Sequence, residues 1–332
     1  MGKDGKLKIM MYSLLDYDIK EYERYKNEFD MTFLRHKLDR NTAVFSFDCD
    51  AVIACPMDEI GREVIDELLE CGVKLLAMRS AGYNNVDLQY AKGRLPVVNV
   101  PDYSPYSIAE FAAALMLTVI RKTHKSYTRT REHNFSINNL TGFELYGKTV
   151  GIVGEGRIGS AAIAICKGFG MHVIVNTPHP RNAEGVEYVT LDELFERSDI
   201  IQLHCPLTAE NRHLINDDTI RRMKDGVVIV NTARGGLIDT RALIRGLNAK
   251  KISAAGIDVY ENEAGTFTVD YTNDILEDET LQILLGFPNV VVTAHQAYFT
   301  QDSLTALCDT TMQNIREFFE SGSCRNLIGC AD

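Results

Sequence analysis

The stretch KTVGIVGEGRIG, residues 148–159, decides the architecture. Its first half is a short run dominated by Val and Ile, the pattern of a parallel strand buried on both faces. Its second half is a glycine-rich turn. The residues that follow, SAAIAICKGFG (160–170), repeat small and apolar side chains at helical spacing. In such a strand–turn–helix unit, Gly154 permits a tight turn, Gly156 leaves room for a pyrophosphate, and Gly159 lets the helix pack on the strand. The N–H groups and partial positive charge at the helix start suit an anion. A lone G-x-G-x-x-G turn is common. In this context it predicts a dinucleotide site.

Outward from this unit, apolar runs and helical stretches alternate. Strands are expected at Lys8–Tyr12, Ala51–Ala54, Val73–Met78 and Pro96–Val100, with a charged helix over Gly61–Cys71. A second series continues at His172–Asn176, Ile200–His204, Val227–Asn231, Ala254–Ile257 and Val290–Thr293. Such alternation predicts α/β units on parallel sheets. Between the series lies a proline-bounded loop, then a helical run from Ser107 to about Thr130. Its opening, IAEFAAALMLTVI, is apolar on nearly all sides, which predicts burial in a core or, as the favoured reading, a subunit interface. The amphipathic helix Asp302–Ser321 is expected to return to the first series. The first domain then comprises residues 1–101 plus 296–332, and a second, 102–295, is inserted into it. Each is a Rossmann-like parallel-sheet domain, flavodoxin-like and dinucleotide-binding respectively, with an active-site cleft expected between them.

At 332 residues the chain has room for two domains. A formal net charge of -11, from 35 basic and 46 acidic residues, argues against nucleic acid or an anionic membrane surface as a partner. No apolar run is long enough to span a bilayer, and the N-terminus carries neither a secretory signal nor a myristoylation pattern, so a cytoplasmic location is expected. The eight cysteines include no C-x-x-C pair and no zinc-like spacing. They read as reduced thiols, mostly buried, and no metal site is expected.

One feature departs from the dinucleotide fingerprint. An acid is expected at the end of the second strand to hold the ribose hydroxyls. Here that strand reads HVIVNTPHPR (172–181), which places Thr177 at the position, or Asn176 one residue earlier. Without a carboxylate there, a 2′-phosphate is not repelled, and Arg181 can pair with it bidentately. NAD(H) is the expected cofactor, and NADP(H) use is open.

Three further segments place reactive side chains past strand ends: VNTARGGLID (230–239) with Arg234, GIDVYENE (256–263) with Glu263, and VTAHQAYFT (292–300) with His295. Ligands of open α/β sheets bind beyond the carboxyl ends of the strands. Arg grips a carboxylate and polarises a carbonyl. His carries the proton. A neighbouring carboxylate orients it. The set is that of a 2-oxo acid reductase.

These segments, with RSAGYNNVDL (79–88), VPDYSPYSIAE (100–110), NFSINNLTGFELYGKT (134–149) and HCPLTAENRHLIN (204–216), resemble the D-isomer-specific 2-hydroxyacid dehydrogenases, in particular the fermentative D-lactate branch of bacteria, from about residue 7 to 328. The resemblance implies reversible reduction of pyruvate, with Arg234, Glu263 and His295 catalytic. It implies that the Ala81 and Gly82 N–H groups hold the substrate carboxylate and that Tyr103, Tyr298 and Phe299 line its pocket. Arg157 and Ile158 would cover the pyrophosphate, and Cys205, Pro206, Thr232, Ala233 and Asp258 would flank the cofactor, with Asp258 at the nicotinamide amide. It also implies hinges near Pro101 and Gln296, and dimers or tetramers formed through the helix after Tyr103. Reduction of larger 2-oxo acids is the alternative activity. An NADH-sensing binding protein is the non-enzymatic one, disfavoured by the complete catalytic set.

Overall fold

The computed structural model describes residues 5–263, 265–267 and 269–329. Cys330 therefore lies outside the described residues. The chain divides into two compact units, Met1–Ser104 with Thr300–Asp332, and Pro105–Phe299. Both crossings fall slightly later than the sequence pattern placed them.

The first unit runs β1 (Lys8–Met11), α1 (Asp16–Glu23), β2 (Asp30–Phe33), β3 (Ala51–Ala54), α2 (Arg62–Glu70), β4 (Leu75–Met78), α3 (Leu88–Ala91) and β5 (Val97–Val98). In the second unit come α4 (Pro105–Arg121), α5 (Thr123–Arg131), β6 (Thr149–Val153), α6 (Arg157–Gly168), β7 (His172–Asn176), β8 (Val186–Tyr188), α7 (Leu191–Arg197) and β9 (Ile200–Leu203). It continues through α8 (Asp217–Arg222), β10 (Val227–Asn231), α9 (Thr240–Asn248), β11 (Ile252–Ile257), α10 (Glu279–Gly286) and β12 (Val290–Val292). The chain then returns to the first unit as α11 (Gln301–Ser321) and β13 (Leu327–Ile328).

The first sheet has the order β13-β5-β4-β3-β1-β2, and the second β12-β11-β10-β9-β6-β7-β8. The second is parallel throughout. The first is parallel except at its edge, where β13 pairs antiparallel with β5. The expected parallel-sheet domains are both present, and a short antiparallel edge strand on an otherwise parallel sheet is common.

The central strands β3, β4, β9 and β10 are buried at every position, as near-continuous apolar runs require when helices cover both faces of a sheet. In the first unit, α11 sends Cys308, Met312 and Ile315 into a core with Ile9, Met11, Ile53 and Leu75. Amphipathic on its own, that helix has its partner in strands far away in sequence.

The helical run after Ser107 differs from expectation. It is two helices, broken at Lys122, whose φ of 53° is left-handed. α4 starts at Pro105, which suits a first helical turn because the missing N–H is unused there. Its apolar face does not await a partner. Ala112, Leu115, Met116, Val119 and Ile120 pack with β6, β7 and β10 in one core. Past the break, the loop comes back so close that a Cβ on Gly142 would sit 2.3 Å from the Ile120 carbonyl oxygen.

Candidate active site

The nucleotide-binding turn forms as its glycines require. Gly154 has a φ of 96°, and a Cβ there would lie 2.9 Å from the Cys205 backbone nitrogen. A Cβ on Gly159 would lie 2.0 Å from the Gly154 oxygen, so that glycine brings α6 onto the turn. Gly156 caps α6, and a Cβ there would meet nothing within 4 Å. The open side of the turn thus faces the helix N-terminus, the geometry that accepts a pyrophosphate. The Gly154 N–H donates to the Asn176 oxygen at 2.8 Å, which sets the turn beside the end of β7. There, the Asn176 side-chain amide is used structurally, donating to the Val189 oxygen at 3.0 Å. Thr177 accepts a long bond from the His179 N–H at 3.4 Å. Arg157, Pro206 and Arg181 are exposed, Ile158 and Cys205 half-buried. Thr232 is buried, and its hydroxyl has no partner among the described residues.

Arg234, Glu263 and His295 follow β10, β11 and β12, which are neighbours in one sheet. The His295 Nδ1 lies 2.8 Å from Glu263 Oε1. The other Glu263 oxygen accepts from the Tyr260 N–H at 3.0 Å, so the acid is itself oriented. His295 has a φ of 52°, a left-handed conformation that few non-glycine residues adopt. It is imposed from below. The His295 N–H donates to the Asp258 oxygen at 2.7 Å. The fully buried Asp258 carboxylate accepts from the Thr293 hydroxyl at 2.6 Å and from the N–H groups of Gln296 and Ala297 at 2.9 and 2.8 Å. Asp258, assigned from sequence to the cofactor amide, has its carboxylate wrapped by the turn that carries His295. Tyr298 sets its ring edge-on to His295 at 6.5 Å, and Phe299 packs edge-on to Tyr298 at 6.1 Å.

Arg234 is exposed, and among the described residues no carboxylate pairs with it. One guanidinium nitrogen donates to the Ala233 oxygen at 2.7 Å. Its turn is held by Asn231, which donates to the Arg234 oxygen at 2.9 Å and accepts from the Ala233 N–H at 3.0 Å. Gly235 presses on the next turn so tightly that a Cβ would lie 2.0 Å from the Tyr260 carbonyl carbon. The Arg234 and Glu263 turns are therefore packed backbone to backbone. A second pair joins them that sequence reading missed. His213 Nε2 lies 2.9 Å from Glu261 Oε2, and Glu261 Oε1 accepts from the Thr240 N–H at 3.0 Å. The spacing of Glu261 and Glu263 in GIDVYENE was visible, but nothing local says that they serve different histidines.

In the first unit, the turn after β4 is pinned by side chains. Ser80 donates to the Gly82 oxygen at 2.6 Å, and Asn99 to the Ala81 oxygen at 2.9 Å. The buried Arg79 beside it bridges Asp18 at 2.9 Å and the Ser13 oxygen at 2.9 Å. The N–H groups of Ala81 and Gly82 make no hydrogen bond among the described residues. Tyr103 is half-buried.

Burial raises the Cys205 thiol to about 11, so it is no nucleophile at neutral pH. His204, one residue earlier, is lowered to about 4 by burial. Its Nε2 lies 3.0 Å from Gln202 Oε1, while Nδ1 is buried without a partner. The fold therefore holds a neutral imidazole that the unfolded chain protonates below about 6.5. Stability should be complete above that pH, fall as pH drops towards 4, and level off below, a loss of about 3 kcal/mol. Denaturant unfolding across this range should show a slope in the wild type that His204→Gln flattens. Parallel curves would mean that the imidazole is protonated in the fold.

A nucleotide-binding turn, a paired histidine and an arginine with no acid partner among the described residues, at the ends of one parallel sheet, define a nicotinamide-dependent oxidoreductase. The model of the D-isomer specific 2-hydroxyacid dehydrogenase NAD-binding domain matches residues 113–297. The chain is 45% identical to the D-lactate dehydrogenase of Escherichia coli over 327 residues, covering 96% of this chain and 99% of that one. Its structure is similar to that of the pyruvate reductase of Chlamydomonas reinhardtii, with a TM-score of 0.91, 40% identity and 94% and 96% of the two chains covered. It is also similar to the D-lactate dehydrogenase of Aquifex aeolicus complexed with NAD and lactic acid, with a TM-score of 0.84, 30% identity and 98% and 100% covered. The chain belongs to the D-isomer-specific 2-hydroxyacid dehydrogenase family, and it is an oxidoreductase with an NAD-binding domain.

Proposed function

We propose that this protein reduces pyruvate to D-lactate, reversibly, with NADH. The observation that carries the reading is the His295–Glu263 pair at 2.8 Å, the Glu263 turn being packed against that of an arginine with no acid partner among the described residues. Arg234 grips the substrate carboxylate and polarises the 2-oxo group. His295 delivers a proton from Nε2 to the carbonyl oxygen, while Glu263 holds Nδ1 and so fixes the ring. The dinucleotide, when bound, supplies the hydride to the carbonyl carbon. Gly154, Gly156, Arg157, Ile158 and Gly159 hold its pyrophosphate, and Cys205, Pro206, Thr232, Ala233 and Asp258 flank it. The domain that carries these residues is the dinucleotide-binding one, and the other binds substrate. The free N–H groups of Ala81 and Gly82 and the ring of Tyr103 are assigned to the substrate, as are Tyr298 and Phe299.

The aromatic rings of Tyr298 and Phe299, edge-on to one another beside His295, suit a small substituent such as the methyl group of pyruvate. A kcat/KM series from pyruvate to 2-oxoisocaproate and phenylpyruvate tests this. Pyruvate is expected to lead. Preference for a longer acid by tenfold or more would replace the D-lactate reading with that of a dehydrogenase for larger 2-oxo acids.

The protein acts as a homodimer or homotetramer. In support, α5 and the segment after it leave large apolar side chains in solvent, with Phe135, Ile137 and Tyr146 all at least 74% exposed, an arrangement typical of an interface. The reading also places the enzyme in the cytoplasm. Among the described residues no helix is long and apolar enough to cross a membrane.

A further inference from the structure

The fingerprint turn contains a residue that the sequence pattern treats as a spacer. Glu155 stands between Gly154 and Gly156, and it is 4% exposed. A buried carboxylate in a glycine-rich turn needs a reason, because burial of an acid is costly unless donors surround it. Its donors belong to the β7–β8 loop and to the last residue of β8. One oxygen accepts from the Arg181 N–H at 2.9 Å and the other from the Tyr188 hydroxyl at 2.9 Å. The Tyr188 oxygen itself accepts from the Ala183 N–H at 2.9 Å, so the hydroxyl proton is the one given to Glu155. Both carboxyl oxygens therefore act as acceptors, as those of an ionised acid do. The segment between β7 and β8 is folded around this side chain.

The location matters. In a dinucleotide site, the end of the second strand is where the adenosine ribose 2′-position is read: an acid there bonds the 2′-hydroxyl of NAD, and an arginine accommodates the 2′-phosphate of NADP. The Gly154–Asn176 hydrogen bond sets the start of the fingerprint turn against that strand end, and Glu155 reaches Arg181 in the loop beyond it and Tyr188, which lies in register with Val175 on the neighbouring β8. Thr177 and Asn176 carry no charge, and Arg181 is exposed. We propose that Glu155 supplies from the fingerprint turn the carboxylate that is missing at Thr177, and so makes the enzyme selective for NAD(H) over NADP(H). The inference rests on the dehydrogenase reading given above. The Arg181 N–H donates to Glu155, so a negative charge is held against the backbone of the loop that carries a cation able to serve a 2′-phosphate. With two of its acceptor sites filled, a carboxylate keeps two more for hydroxyl donors. In a site partly shielded from water its repulsion of a 2′-phosphate is strong.

The test is equilibrium binding of NADH and NADPH by calorimetry, followed by steady-state kinetics with each. The wild type should favour NADH by at least about tenfold, since juxtaposed like charges are strongly disfavoured. Glu155→Gln keeps the size of the side chain and removes the charge. It should narrow the ratio of the two dissociation constants by at least tenfold, mainly by tightening NADPH. Adding Thr177→Asp to that variant should restore the wild-type ratio, because the charge returns to the strand end. Tyr188→Phe, which keeps the acid but removes one donor, should leave the ratio within threefold of wild type. A Glu155→Gln ratio within threefold of wild type overturns the assignment. So does a Tyr188→Phe ratio relaxed as far as that of Glu155→Gln, for then loop shape and not charge governs the preference. NADH binding with an unshifted ratio removes this assignment alone, whereas a wild type that binds neither dinucleotide removes the dehydrogenase reading with it.

Discussion

His295→Gln lowers kcat by about 100- to 10,000-fold, the usual worth of a positioned acid–base group, while NADH affinity stays within about threefold of wild type. The split follows from where the residue sits. The ring is held by Glu263 and by the turn above Asp258, and none of these contacts involves the fingerprint turn that receives the pyrophosphate. Steady-state turnover and calorimetric titration of the same preparation check both halves. Unchanged turnover would remove His295 from the chemistry. A loss of NADH binding equal to the loss of turnover would make it a cofactor residue instead. Glu263→Gln should cost less, since an amide can still meet Nδ1 but lacks the charge. Because the two side chains act as one unit, the double variant should be little worse than His295→Gln alone.

Much of this was legible because buried parallel strands have no polar alternation to obscure them. AVIA at 51–54 is wholly apolar, IIQL at 200–203 and VVIVN at 227–231 carry a single polar residue each, and each is a fully buried strand. What escaped notice lies at edges. β2 (DMTF), β8 (VEY) and β13 (LI) are short and partly exposed, so their sequences carry no burial pattern. The break at Lys122 escaped for a different reason. No glycine or proline interrupts residues 107–130, and a single left-handed residue leaves no trace in composition. The second histidine–glutamate pair shows the same limit at the site. The motif already assigns Glu263 to His295, and the fold brings the two together, but only the fold sends Glu261 to His213. Glu155 was hidden by its neighbours: in a motif defined by its glycines, the residue between them reads as filler.

Arg234→Lys should lower kcat/KM for pyruvate by about 100-fold or more, with most of the effect in KM, although charge is conserved. Geometry is the reason. A planar guanidinium offers paired N–H donors that meet both oxygens of a carboxylate, and its remaining donors can reach the adjacent carbonyl; an ammonium offers a point charge on a flexible stem. Breaking a hydrogen bond to a charged group costs about 1.5–3 kcal/mol, and breaking two at once gives a change of the stated size. The turn that presents Arg234 should survive the change. Its anchors are backbone and Asn231 hydrogen bonds, and the tight approach of Gly235 to Tyr260 does not involve the side chain. Thermal stability and NADH affinity should therefore match wild type, which separates impaired recognition from a damaged fold. Oxamate, a pyruvate-like carboxylate that accepts no hydride, supplies the direct check. Its inhibition constant with NADH present should rise about as much as KM. If inhibition is unchanged while kcat falls, Arg234 serves the carbonyl in the transition state and leaves the carboxylate to other donors, with the Ala81 and Gly82 N–H groups next in line.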